Sequence, residues 1–191
     1  MNTSELKCLL ERALSTTTCR FLGVFAADEA PAQLSRDPNQ YPCTYVVNTD
    51  VAEQPGRHWV ACFASSPDSA VEFFDSYGKP HSAYPNIRMP TMQRRVNRWS
   101  TRSFQSPRSL VCGHYCVFYI CKRASGWSRA TIARVLIRFA AAGRSGLPYP
   151  QDRLVRRFVR NMRTALPCIR CCTNSHRCSS GSQCCVSQCR Q

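Results

Sequence analysis

The sequence predicts an α+β domain. Three short β-branched and aromatic runs, "CTYVVNT", "RHWVACFASS" and "AVEFFDSYG", follow one another between residues 43 and 78. Three runs of helical period follow from residue 112 onward. The 191 residues, 43% of them hydrophobic, suffice for one core of ordinary size.

In chain order, "TSELKCLLERAL" (3–14) predicts a helix, with Leu6, Leu9, Leu10 and Leu14 on one face and Thr3 or Ser4 as its cap. "CRFLGVFAA" (19–27) reads as a strand broken by Gly23, and the Pro-rich 30–42 as a loop. Strands at 43–49, 57–66 and 70–78, joined by tight turns, form an antiparallel meander, the last ending at Gly78. Residues 79–109 wrap the surface, with one short helix around "TMQRRVNRWS". A buried helix spans 112–125. An amphipathic one spans 128–143, with Ile132, Val135, Leu136 and Phe139 inward and Gly143 as its stop. A third spans 150–166, with Leu154, Val155, Phe158, Val159 and Met162 inward and Arg153, Arg156, Arg157, Arg160 and Arg163 outward. The expected domain is therefore 1–166. Residues 167–191, with seven cysteines and no apolar period, read as a disordered tail outside it. Its "CIRC" half-site lacks a regular partner pair, so no metal is expected.

Charge divides the chain. Residues 1–75 carry 5 basic and 10 acidic side chains, whereas 76–191 carry 21 basic ones and a single acid, Asp152. A surplus of this size favours a polyanionic partner, and DNA is the expected one through the arginine face of 150–166. The alternative is a compositional bias toward Arg with no ligand. No apolar run approaches the ~20 residues of a membrane span, and the N-terminal segment does not read as a signal peptide. The expected setting is soluble and reducing, where cysteines remain thiols.

Three chemical groups fall in a suggestive order: His58 before Trp59, Asp75 17 residues later, and Cys112, seven residues after Gln105 and directly before Gly113. A thiol nucleophile needs its proton removed, and a helix N-terminus and a neighbouring imidazolium both favour the thiolate. Cys112 opens a helix. His58 would take the proton and later return it to the leaving amine, and Asp75 would orient the imidazole. The Cys112 N–H and the Gln105 amide would receive the oxyanion, and Gly113 would leave the thiol unobstructed. Each residue also has a plainer reading: His58 as a structural strand residue, Asp75 as a turn former, Cys112 as a core cysteine like Cys116 and Cys121.

The order, however, resembles the cysteine protease clan of the adenovirus endopeptidase (adenain) and the SUMO-specific proteases. "QSPRSLVCGHYC" fits the adenain pattern Q-x-P-x-S-x-x-C-G-x-x-C, and His58-Trp59 with Asp75 fits its His-Trp and acid. "CRFLGVF" and "VVNT" look like two upstream segments of the same family, so the resemblance covers roughly residues 5–125. It implies an adenain-like fold, a small, mostly antiparallel sheet packed on the helix that carries the nucleophile. It also implies Cys112 as nucleophile, His58 as base, Asp75 as third member, Gln105 in the oxyanion hole and Trp59 covering a narrow groove for glycine. By the same likeness, the activity is cleavage after Gly, at Gly-Gly or Gly-x sites, in viral precursor proteins during virion maturation. Viral DNA and an activating peptide are the family's cofactors. The cysteine that tethers that peptide by a disulfide is Arg94 here, which puts the tether in doubt. The resemblance implies a monomer of the virion and host nucleus. Two alternatives remain: a peptidase for SUMO- or ubiquitin-like modifiers, and a non-enzymatic, Arg-rich DNA-packaging protein that keeps the fold.

Overall fold

The computed structural model describes residues 1–90, 97–98, 102–141 and 149–165. The proposed tail, Arg94, Gly143 and most of "TMQRRVNRWS" lie outside them.

Helix α1 (Thr3–Leu14) spans the expected residues, but its cap differs. Asn2, not Thr3 or Ser4, is its cap: Asn2 Oδ1 accepts from Glu5 N at 2.8 Å, and Glu5 Oε2 accepts from Asn2 N at 3.1 Å. Leu6, Leu9, Leu10 and Leu14 are buried, as their spacing requires.

Strands β1 (Arg20–Phe25), β2 (Cys43–Asn48), β3 (Trp59–Ala64), β4 (Glu72–Phe74) and β5 (Asn97–Arg98) form one sheet in sequence order. The meander β2–β3–β4 is antiparallel as expected. The sheet is mixed rather than mostly antiparallel, because β1 and β5 join its two edges in parallel. Residues 26–42 carry the chain back to the start of the sheet through two short 3-10 turns, so β2 runs beside β1 in the same direction. Residues 97–98 pair with β4 where a helix was expected. The third meander strand is shorter than 70–78: Asp75–Gly78 is a turn, closed by Gly78 N donating to Asp75 O at 2.9 Å. Gly78 sits at φ +72°, and a Cβ there would meet Arg102 O at 2.6 Å, so only glycine fits.

Alternation along the strands gives the sheet two buried faces. Val46, Ala61, Phe63 and Phe74 face α1 and the helices α2 (Cys112–Ala124), α3 (Arg129–Ala141) and α4 (Pro150–Ala165). Tyr45, Val47, Val60, Cys62 and Phe73 lie under a layer from the long loops, including Ala27, Leu34, Ile87 and Met89. Helix α2 is the centre of the first layer, with Tyr115 through Ile120 at most 2% exposed. Ser128 caps α3 through Thr131 N at 3.1 Å. Ile132 and Leu136 are buried, but Phe139 is exposed, because the inward face of α3 ends before its last turn.

Glu72 ties β4 to the helices. Its carboxylate accepts two bonds of 2.8 Å from Arg123 and one from the Tyr119 hydroxyl, and Arg129 Nε lies 3.6 Å away. The Tyr119 ring stacks on Phe74 at 4.4 Å. Removing one partner of a buried ion pair leaves the other uncompensated. Glu72→Ala is therefore expected to cost about 3–5 kcal/mol, read as a lower urea midpoint at unchanged slope.

Candidate active site

Two strand ends and one helix start meet at one end of the sheet. His58 directly precedes β3, and its carbonyl still accepts from Thr49 N at 2.9 Å. Asp75 directly follows β4. Cys112 is the first residue of α2 and is half-buried.

His58 Nε2 lies 2.6 Å from Asp75 Oδ1. That leaves Nδ1 as the ring nitrogen for Cys112, to whose side chain His58 also hydrogen bonds. Asp75 is 2% exposed and fully satisfied. Tyr77 N donates to its Oδ1 at 3.0 Å, and Lys79 N and the Tyr84 hydroxyl donate to its Oδ2 at 2.9 Å each. The turn made possible by Gly78 aims those two N–H groups at the carboxylate. Tyr77 also lies over the His58 ring, with centroids 4.8 Å apart and planes 33° from parallel.

The electrostatics follow from these contacts. Burial alone would pull His58 down, but its bonds to Asp75 and Cys112 and their negative charge push it up to about 9. Burial would raise the Cys112 thiol, yet the His58 hydrogen bond and charge, with the N–H groups of Trp59 and Gly113, bring it below the ordinary 9.0. Asp75 is likewise lowered despite burial, mainly by His58. Both shifts run in the direction of a Cys112 thiolate beside a His58 imidazolium. The other described cysteines given shifts, Cys19, Cys62, Cys116 and Cys121, all move upward through burial. With Asp75→Asn, burial gains the upper hand at His58, whose pKa is expected to fall from about 9 toward the ordinary 6.5. An imidazole NMR titration reads this; an unchanged value would exclude Asp75 as the cause.

Gln105 is 1% exposed and its amide is fully engaged. Its Oε1 accepts from Ser76 Oγ at 2.6 Å, and its Nε2 donates to Ser109 O at 2.7 Å and to the Tyr77 hydroxyl at 3.1 Å. The loop 105–109 does fold back, but both amide protons are used within the protein. At Gly113 a Cβ would meet Met1 and Leu6, at 3.4 and 3.5 Å. Trp59 is half-buried against the helical layer and meets Cys112 through its main-chain N–H.

Beside His58 opens a cavity of about 430 Å³, lined among others by Arg57, Tyr77, Lys79, Tyr84 and Asn86. Arg57 is held there by Asp50 through bonds of 2.8 and 3.0 Å. Tyr77 and Tyr84 went unrecognised in the sequence. The first looked like part of a turn and the second like part of an aperiodic loop; only a Tyr two residues after the candidate acid could have flagged the site.

On α4, Arg153, Arg156, Arg157 and Arg160 are exposed. Arg163 does not belong with them: it is half-buried, and its Nη2 lies 3.8 Å from Glu5 Oε1 on α1. No described helix is long and apolar enough to cross a membrane.

No family profile matches the chain. Among curated proteins it is similar to the protease of porcine adenovirus A serotype 3, at 27% identity over 115 residues. The match covers 53% of this chain and 54% of that protein, so the chain spans about half the length of this relative.

Proposed function

We propose that the chain is a cysteine endopeptidase with Cys112 as nucleophile, His58 as general acid–base and Asp75 as the group that orients His58. The hydrogen-bonded series from Asp75 through His58 to the first residue of α2 carries this reading. The thiolate attacks the scissile carbonyl carbon; the S–C bond forms and the carbonyl π pair moves to oxygen. When the intermediate collapses, the C–N bond breaks and His58 delivers its proton to the leaving amine. Water, deprotonated by His58, then hydrolyses the thioester. The Cys112 main-chain N–H, at a helix N-terminus, is one donor to the oxyanion.

The finer assignment is an adenain-type enzyme whose catalytic domain is residues 1–166. It cleaves after Gly in viral precursors within the virion, as a monomer. The likeness to an adenovirus protease supports this, as does the fit of "QSPRSLVCGHYC". DNA is the proposed stimulating partner, bound by the four exposed arginines of α4. The test is a panel of a Gly-Gly peptide, a SUMO fusion and a ubiquitin fusion, each with and without DNA. Cleavage of the Gly-Gly peptide, with DNA stimulation that fades steeply as salt rises, is expected. Preference for a modifier fusion would favour the modifier-peptidase alternative, and DNA binding with no cleavage would favour the packaging alternative.

A further inference from the structure

A group that protonates the leaving amine stands against the leaving half of the substrate. The cavity of about 430 Å³ has His58 as one wall and is not lined by Cys112, which would hold the acyl half. The peptide that follows the cleaved bond departs from His58, so it is the part of the substrate next to this cavity. The lining is cationic. Arg57 and Lys79 border it together with the neutral polar Thr49 and Asn86, and among the described residues no carboxylate does. Asp50 and Asp75 are each 2% exposed and already engaged, by Arg57 and by His58.

We propose that this cavity is a subsite for an acidic residue directly after the cleaved bond, and that the Lys79 ammonium selects it. The inference rests on the peptidase reading above and adds the charge of the leaving fragment. Two observations about Lys79 carry it beyond the lining. The first is anchoring. The Lys79 main-chain N–H donates to Asp75 Oδ2 at 2.9 Å, so its place beside His58 is set by the same carboxylate that orients His58. On one side stands Gly78, in a turn that only glycine fits, and on the other Pro80, which keeps Lys79 out of helical backbone. The second is an uncommitted charge. Lys79 is exposed, and its ammonium has no acidic partner among the described ion pairs. Arg57, by contrast, is paired with Asp50 at 2.8 Å and has less to offer a substrate. A carboxylate entering the cavity therefore meets one fixed, unpaired cation, with two neutral polar side chains beside it to complete its hydrogen bonds.

The test uses peptides that share one acyl half ending in Gly-Gly and carry Glu, Gln or Lys directly after the cleaved bond. The ratio kcat/KM is measured for wild type, Lys79→Gln and Lys79→Glu at low and at high salt. Each protein is judged by its own preference between peptides, so a general loss of activity or of folded protein cancels. The main-chain bond to Asp75 does not depend on the side chain replaced. Wild type is expected to prefer Glu over Gln by about 5-fold at low salt, the effect of one charge pair in contact with water. The preference should shrink as salt screens it. Lys79→Gln should abolish it, and Lys79→Glu should put the Lys peptide first. A second series keeps Gln after the cleaved bond and varies the charge of the residue before Gly-Gly. Wild type with no preference between Glu and Gln overturns the proposal, as does a preference that survives in Lys79→Gln. A charge preference that depends on Lys79 only in the second series also overturns it, since the cavity would then serve the acyl half. If wild type cleaves none of the peptides, the peptidase reading itself fails, a different result from an active wild type indifferent to the leaving charge.

Discussion

Cys112→Ala is expected to abolish cleavage of the Gly-Gly peptide while leaving the fold intact. Removing the nucleophile of a covalent mechanism costs about 10⁴-fold or more in kcat, since only binding and the remaining oxyanion donor are left. Stability should change little, because Cys112 is half-buried at a helix start and is no part of the packed layer of Tyr115–Ile120. The chain has 14 cysteines, so the experiment also discriminates among them. Activity surviving in the variant, measured by product chromatography, would move the nucleophile to another residue.

His58→Ala is expected to be nearly as severe, for a different reason. Burial raises the Cys112 pKa and His58 is first among the groups that lower it. Without the imidazolium the balance reverses, and the thiol returns to or above its ordinary 9.0. The thiolate fraction at neutral pH collapses, and no group remains to protonate the leaving amine. Together these should lower kcat/KM by about 10⁴-fold. The two parts separate in a pH series of iodoacetamide alkylation. In wild type, Cys112 is expected to react below pH 9, because His58, with its pKa of about 9, stays charged there. In the variant, reaction should rise only as pH passes the ordinary thiol value. A variant that still alkylates at wild-type rates near neutrality would show that the helix N-terminus alone makes the thiolate.

What could be read from the sequence was local and periodic. Leu6, Leu9, Leu10 and Leu14 recur at helical spacing, and α1 is where they place it. The acid and base lie 17 residues apart and do meet, because β3 and β4 are antiparallel neighbours joined by a short turn. What escaped depends on distant partners. The parallel pairing of β1 follows from where a 17-residue connection returns, which no strand pattern encodes. Phe139 continues the apolar stripe of α3, yet it is exposed where Ile132 and Leu136 are buried. Gln105 sits where the motif demands, yet its protons go to Ser109 and to Tyr77, 28 residues away in the chain. Arg163 shares the charge of its helix but faces Glu5.

In the proposed mechanism Cys112 carries the acyl group during turnover. Wild-type protein mixed with a Gly-Gly ester, quenched in acid within milliseconds and digested for mass spectrometry, reads this directly. The expected result is a peptide containing Cys112 that is heavier by the acyl group, forming as product appears and absent in His58→Ala. Turnover with Cys112 unmodified, or with the acyl group on a different cysteine, would contradict it.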